Sequence, residues 1–321
     1  MAKSENIFFD VFKIFFKSLR IYLINMPKFL AYMSFPVFGI FGGCALILGL
    51  TYAFTELAVK YNWTEYLNNL FLCLIVFALI LIPGFLIFCK AFLDYLIAMI
   101  TLSRAGFDMV ATDILPKDLK SYRSIFEGRE HSLILIFTIL FCVYLPLSVP
   151  FLLPIALVFF LYSCLTLQGF ASDDKLGAVA SIRRSFLLIS GHVPSTTILL
   201  LLVGFSTYFL IPEGLWWFLS AGEITKYLCM PTQAILGKMP VLETVIPHVN
   251  SIFLEFHLPF ELTIEMIVEL FTKSVVVSMI IAFLLPVRSI ACALWFKRLN
   301  DGTCAGAETA KKLAKKAKEE V

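Results

Sequence analysis

Chemistry is scarce in this chain. None of its four histidines (His131, His192, His248, His257) belongs to an H-E-x-x-H pair, which removes the helical zinc-hydrolase arrangement. No Gly-rich phosphate loop closes on a Lys-Ser/Thr pair, and no G-x-S-x-G turn lifts a serine into a nucleophilic position. The eight cysteines include no C-x-x-C pair and fall mostly inside apolar runs, where a thiol packs as a small hydrophobe rather than a metal or redox ligand. Charged residues make up 15% of the chain, against about 25% in ordinary soluble domains. A net charge of +3 is too small for a nucleic-acid surface. The first stretch, Met1 to Lys28, has no small-residue cleavage site behind it and so is not read as a signal peptide. These absences leave no catalytic residue, metal-ligand set or cofactor to name.

What is abundant is apolar surface: 60% hydrophobic residues, a mean hydropathy of +0.90 and 33 phenylalanines. A chain so apolar is expected to be a polytopic membrane protein. Helices satisfy their backbone hydrogen bonds internally, so all-α is the expected class. Runs long enough for the roughly 20 residues a crossing helix needs place six spans near 29–54, 70–89, 133–149, 151–170, 196–218 and 272–295. They form a single membrane domain over 1–298, followed by a Lys-rich cytoplasmic tail over 299–321. Pro146, Pro150 and Pro154 divide one overlong apolar run into two spans. Gly39, Gly42, Gly43 and Gly49 give the first span a small-residue face where a neighbour could approach closely. The second span reads as continuing helically to Ser103, too long for the bilayer, so its end should project. The stretch from Ser220 to Pro259, with several prolines and weak periodicity, reads as an extramembrane connection, and Asn62-Trp63-Thr64 fits a glycosylation sequon.

Short amphipathic segments precede the spans. Asp173 to Pro194 has two aspartates suited to cap a helix start, apolar residues at helical spacing (Leu176, Val179, Ile182, Phe186, Ile189), and Gly191 with Pro194 as a stop. Met1 to Lys28 interleaves Lys13, Lys17 and Arg20 with phenylalanines, the pattern of a basic helix on an anionic leaflet. KSLRIYLINMP (Lys17 to Pro27) also lies over RSFLLISGHVP (Arg184 to Pro194), and Leu119 to Phe126 holds the same place before the third span. The expectation is three hairpins, each preceded by a cytoplasmic amphipathic helix. With the N-terminus in the cytoplasm, six spans return the C-terminus there. Of the 26 Lys and Arg, only Lys60, Lys226, Lys238 and Lys273 then fall outside. The expected location is the cell's inner or plasma membrane.

The uncharged Pro-rich hairpin, then GAVASIRRSFLLISGHVPSTTILLLLV, then a last span closing on ALWFKRLNDG, resembles the six-helix membrane domain that precedes some bacterial glycerophosphodiester phosphodiesterases and its stand-alone relatives of unknown function. The resemblance centres on the small residue, Arg-Ser, apolar run and Gly around Ala180 to Gly191. It implies a bacterial integral membrane protein. The phosphodiesterase domain itself has no counterpart in this sequence, so no catalytic residue carries over.

Candidate residues follow from charge and depth. Lys13, Lys17, Arg20, Arg183 and Arg184 are candidates for lipid phosphate or the interface. Lys90 with Asp94, Gln168, and Glu269 with Lys273 are the polar candidates within or beside spans. The blander reading of each is a snorkelling lysine with a local partner, an interhelical hydrogen bond, and a solvated helix face. The expected partners are membrane lipids of the anionic inner leaflet, with a protein partner or a second copy as the other possibility and no nucleic acid. The favoured function is non-catalytic organisation of lipid or a partner at the cytoplasmic interface; the alternative is transport of a small or lipid-like solute.

Overall fold

The structure, a computed structural model, describes residues 2–61, 70–110, 112–124, 126, 128–145, 149–237, 240–257 and 259–301. The sequon at Asn62 and almost all of the Lys-rich tail lie outside these residues. Among the described residues all regular structure is helical. The helices are α1 (Ala2–Ile24), α2 (Met26–Lys60), α3 (Leu70–Asp108), α4 (Leu119–Ser124), α5 (Glu130–Tyr144), α6 (Leu153–Ser163), α7 (Thr166–Ser172), α8 (Ala178–Ser190) and α9 (Val193–Gly204). A π-helical stretch, Phe205–Leu210, leads into α10 (Ile211–Ala221), followed by α11 (Ile224–Leu236), α12 (Pro240–Glu255) and α13 (Ile264–Phe283). A turn residue at Leu284 separates α13 from α14, residues 285–301.

Among the described residues five helical stretches are long and apolar enough to cross a membrane: Met26–Lys60, Leu74–Asp108, Pro150–Ser172, Val193–Ala221 and Ile264–Asp301. The chain is thus an all-α protein with the build of a multi-pass membrane protein. The stretch read as the third span is the shorter helix α5, whose 15 residues rise about 22 Å against a hydrocarbon core of about 30 Å. By contrast α3, at 39 residues, rises about 58 Å. That is longer than the hydrocarbon core, and the helix continues past Ser103 to Asp108.

Two compact units divide the chain, 1–204 with 285–321, and 205–284. In the first unit α2 and α3 run antiparallel in close contact, because Gly39 meets Ala91, Gly43 meets Phe88 and Gly84 meets Ile47. Gly42 and Gly49 face open space. Of the expected four-residue stripe, only Gly39 and Gly43, one turn apart, make the contact. One core cluster joins Val11 and Phe15 of α1, Leu188 and Ile189 of α8, Leu199 and Val203 of α9, and Trp295 and Phe296 of α14. Trp295 is fully buried, and its indole N–H donates to Thr196 Oγ1 at 3.0 Å, so the largest side chain in the cluster carries no unsatisfied donor. A second cluster gathers Ile100, Phe126, Leu133, Ile136, Leu167 and Phe170 from α3, α5, α7 and the α4–α5 link.

In the second unit α11 packs on α10 and α13. Thr272 donates to Thr232 at 3.0 Å. Asn250 closes the link between α12 and α13 by donating to the Leu262 carbonyl at 3.0 Å and accepting its N–H at 2.8 Å. The connection that read as weakly periodic is therefore mostly helical. Its signal was present but mixed in polarity: Thr225, Leu228, Thr232 and Leu236, spaced three and four apart, form the more covered side of α11, and a count of hydrophobic residues alone passes over the two threonines.

Candidate functional site

Polar side chains of the first unit bind elements to one another, and each bond starts from a local sequence feature. Helix α1 ends at Asn25, which is buried. Its amide donates to the carbonyls of Ile21 and Asp113, each at 2.9 Å, while its oxygen accepts the Leu115 N–H at 3.0 Å. Lys17 donates to the Val110 carbonyl and lies 3.6 Å from Asp113, and Arg20 reaches the same carboxylate at 3.5 Å. The loop after α3 is thereby fixed to the end of α1.

A second group surrounds α7. Arg104 of α3 donates to the carbonyls of Ala171 and Ser172 at 2.8 and 3.2 Å, satisfying the open C-terminal end of α7. Arg129, at the start of α5, donates to the Leu176 carbonyl at 2.8 Å, and its guanidinium lies 3.9 Å from the centre of the Phe170 ring. Burial lowers the pKa of Arg129, and the nearby Asp174 carboxylate opposes that shift. Tyr122 of α4 donates to Asp108 at 2.9 Å; burial first, and this bond second, push its phenol pKa up and keep it a donor. Gln168 of α7 is buried and donates to Ser103 of α3 at 3.3 Å.

The expected intrahelical pairs are replaced by pairs between elements. Asp94 does not hold Lys90: it accepts from Arg123 of α4 at 2.8 Å, and the Lys90 ammonium lies 5.4 Å from the centre of the Phe35 ring. Nor is Lys273 held by Glu269, which is exposed; within the second unit it meets Glu213 of α10 at 2.8 Å. The reason is common to both. A pair four residues apart on one helix contributes about 0.2–0.5 kcal/mol, so a well-placed partner on another element displaces it. Asp173 and Asp174 likewise do not cap α8, whose N-cap is Gly177; Asp173 accepts the Lys175 N–H at 2.9 Å instead. The stop at Gly191 is where the sequence placed it, and Pro194 falls in the first turn of α9.

Glu213 and Lys273 are partly open, which holds the worth of their pair to about 1 kcal/mol. Glu213→Gln should lower the thermal midpoint in detergent by about 2–4 °C. Adding Lys273→Gln should return most of that loss; equal and additive losses would show that the two side chains are not coupled.

Among the basic candidates, Lys17, Arg20 and Arg184 are engaged within the protein, the last donating to Asn300 at 2.9 Å with its guanidinium 5.3 Å from the centre of the Phe296 ring. Lys13 and Arg183 are exposed. Sequence reasoning passed over Arg104, Arg129 and Asp113 because charge alone marks a side of the membrane and not a partner; Asn25 stood there only as one position of the Lys17–Pro27 pattern. Among the described residues no group of His, Cys, Asp and Glu is placed to hold a metal ion. In comparison with known proteins, the chain matches no family model, no curated protein and no solved structure.

Proposed function

We infer that this is an inner-membrane protein of six spans in three hairpins, with both ends cytoplasmic, whose surface helices α1, α4 and α8 organise acidic lipid at the cytoplasmic face. One observation carries the reading. Helices α1 and α8 each bury one face in the first unit's core and leave the opposite face apolar and basic together. On α1, Phe9 is 73% and Phe16 62% exposed beside Lys13; on α8, Val179 is 68% and Leu187 66% exposed around Arg183. Large apolar side chains and cations on the outward face of one helix match a leaflet interface, where rings enter the acyl boundary and cations meet phosphate. In this reading α5 belongs to the third span, and the motif around Ala180 to Gly191 supports kinship with the six-helix phosphodiesterase-associated membrane domains.

The test is spin-label spectroscopy of lipid bound to reconstituted protein. Acidic phospholipid should be motionally restricted in preference to zwitterionic lipid. Neutralising Lys13 and Arg183 together should remove the preference, at about fivefold per charge for roughly 1 kcal/mol each. Equal association of both lipids would sink the proposal.

A second reading, transport of a small or lipid-like solute, draws on the second unit. There the π-helical stretch precedes the Glu213–Lys273 pair, and both residues lie in candidate spans. Interrupted helices with an ion pair are the parts from which solute sites are built. It predicts protein-dependent solute flux in proteoliposomes, which the first reading does not.

A further inference from the structure

We propose that the apolar groove between α5, α6 and α8 holds an acyl chain of one membrane phospholipid, whose phosphate rests on Arg183. The inference deepens the lipid-organising reading and depends on α8 lying in the interface. The groove has a volume of about 130 Å³ and is lined by Ile139 and Leu140 of α5, Phe159 and Ser163 of α6, and Ile182 and Phe186 of α8. An apolar cavity of about 150 Å³ accepts a group the size of benzene, so this space takes a short run of methylenes. Its single polar side chain is already occupied, because the Ser163 hydroxyl donates to the Phe159 carbonyl at 2.7 Å. The groove therefore favours hydrocarbon over any polar solute. Phe186 is held as a firm wall by stacking on Tyr162, with ring centres 5.2 Å apart.

The charge lies beside it. Arg183 follows Ile182 directly and precedes Phe186 by three residues, which puts it on the outward edge of the same helix flank. It is exposed, whereas its neighbour Arg184 turns the other way to Asn300. A cation at the rim of a hydrocarbon slot matches the head and tail of a phospholipid.

The experiment uses the full chain reconstituted in nanodiscs of phosphatidylethanolamine and phosphatidylglycerol, then stripped in mild detergent and weighed by native mass spectrometry. Wild type should keep one phospholipid per chain. Ile182→Trp, which fills the groove, should cut that occupancy at least tenfold. Arg183→Ala, at an exposed position where folding is not at stake, should cut it about fivefold. Lys28→Ala, at an exposed position on α2, should leave it unchanged. Retention by Ile182→Trp equal to wild type, or a loss in Lys28→Ala matching that in Arg183→Ala, would overturn the site. If the bulk preference for acidic lipid persists while no single lipid is retained, the groove assignment fails and the broader reading stands; if both vanish, the broader reading fails with it.

Discussion

Gly43→Val is expected to cost about 3 kcal/mol and Gly42→Val almost nothing, although the two glycines are neighbours. A Cβ placed on Gly43 lies 2.7 Å from the Phe88 nitrogen and 2.8 Å from its Cα, and backbone cannot step aside as a flexible side chain can. Overpacking of this kind costs about 1–3 kcal/mol. The upper end applies because Gly84, facing Gly43 across the contact, has its own tight limits at Ile47 and the Gly43 carbonyl. Separating α2 from α3 at this point also loosens the Gly39–Ala91 approach one turn away. Gly42 meets nothing within 4 Å. There Gly42→Ala should stabilise the protein by up to about 1 kcal/mol, the difference in helix propensity between the two residues. Thermal unfolding in detergent checks both. A destabilised Gly42→Ala, or a Gly43→Val that unfolds like wild type, would mean that the α2–α3 contact is built differently.

Asn25→Leu should cost about 3 kcal/mol, the second large effect. The substitution keeps the volume and removes three hydrogen bonds at once, leaving the Leu115 N–H and the Asp113 carbonyl without their side-chain partner. Each buried group so abandoned costs about 1–3 kcal/mol. With the loop released, Lys17 and Arg20 lose the fixed position of Asp113 as well. His192→Leu is the informative control. His192 occupies the position matching Asn25 in the echo between Lys17–Pro27 and Arg184–Pro194, but it is the His192 carbonyl that accepts, from Thr196 N–H and Ser195 Oγ, each at 3.0 Å. The control should therefore unfold within about 0.5 kcal/mol of wild type. Equal losses in the two variants would show that both copies use the side chain alike.

That pair of positions also shows how far sequence reached. The helices, their apolar character and the crowding of polar residues around the span ends were legible, because periodicity, hydropathy and charge are local properties. The echo was legible as a pattern of residue types. What it could not convey is the division of labour within it. In the first copy Asn25 ties two elements together while Ser18 bonds back to its own helix at Phe15. In the second copy the serine does the tying: Ser185 donates to the Tyr162 carbonyl at 2.6 Å and accepts the Leu165 N–H at 3.2 Å. A partner is a property of the fold, and the same side chain finds a different one when another element passes by. The same holds for Asp94 and Lys273, whose nearest opposite charges in sequence are not the ones they meet in space, and for Lys90, which lies over the Phe35 ring.

The contact between α1 and α14 has a consequence in time. Arg298 grips Asp10 through Nε and Nη2, 288 residues away along the chain, and Val11 and Phe15 share a cluster with Trp295 and Phe296. Synthesis at about 5–20 residues per second separates the two helices by roughly 15–60 s. Throughout that interval α1 exists without the helix that covers its inner face, while the hairpin of α2 and α3 is completed about a third of the way through it. A basic, aromatic helix is well suited to wait on a leaflet. Its docking waits on α14, and α1 acts as a latch that closes only once that distant helix has been made.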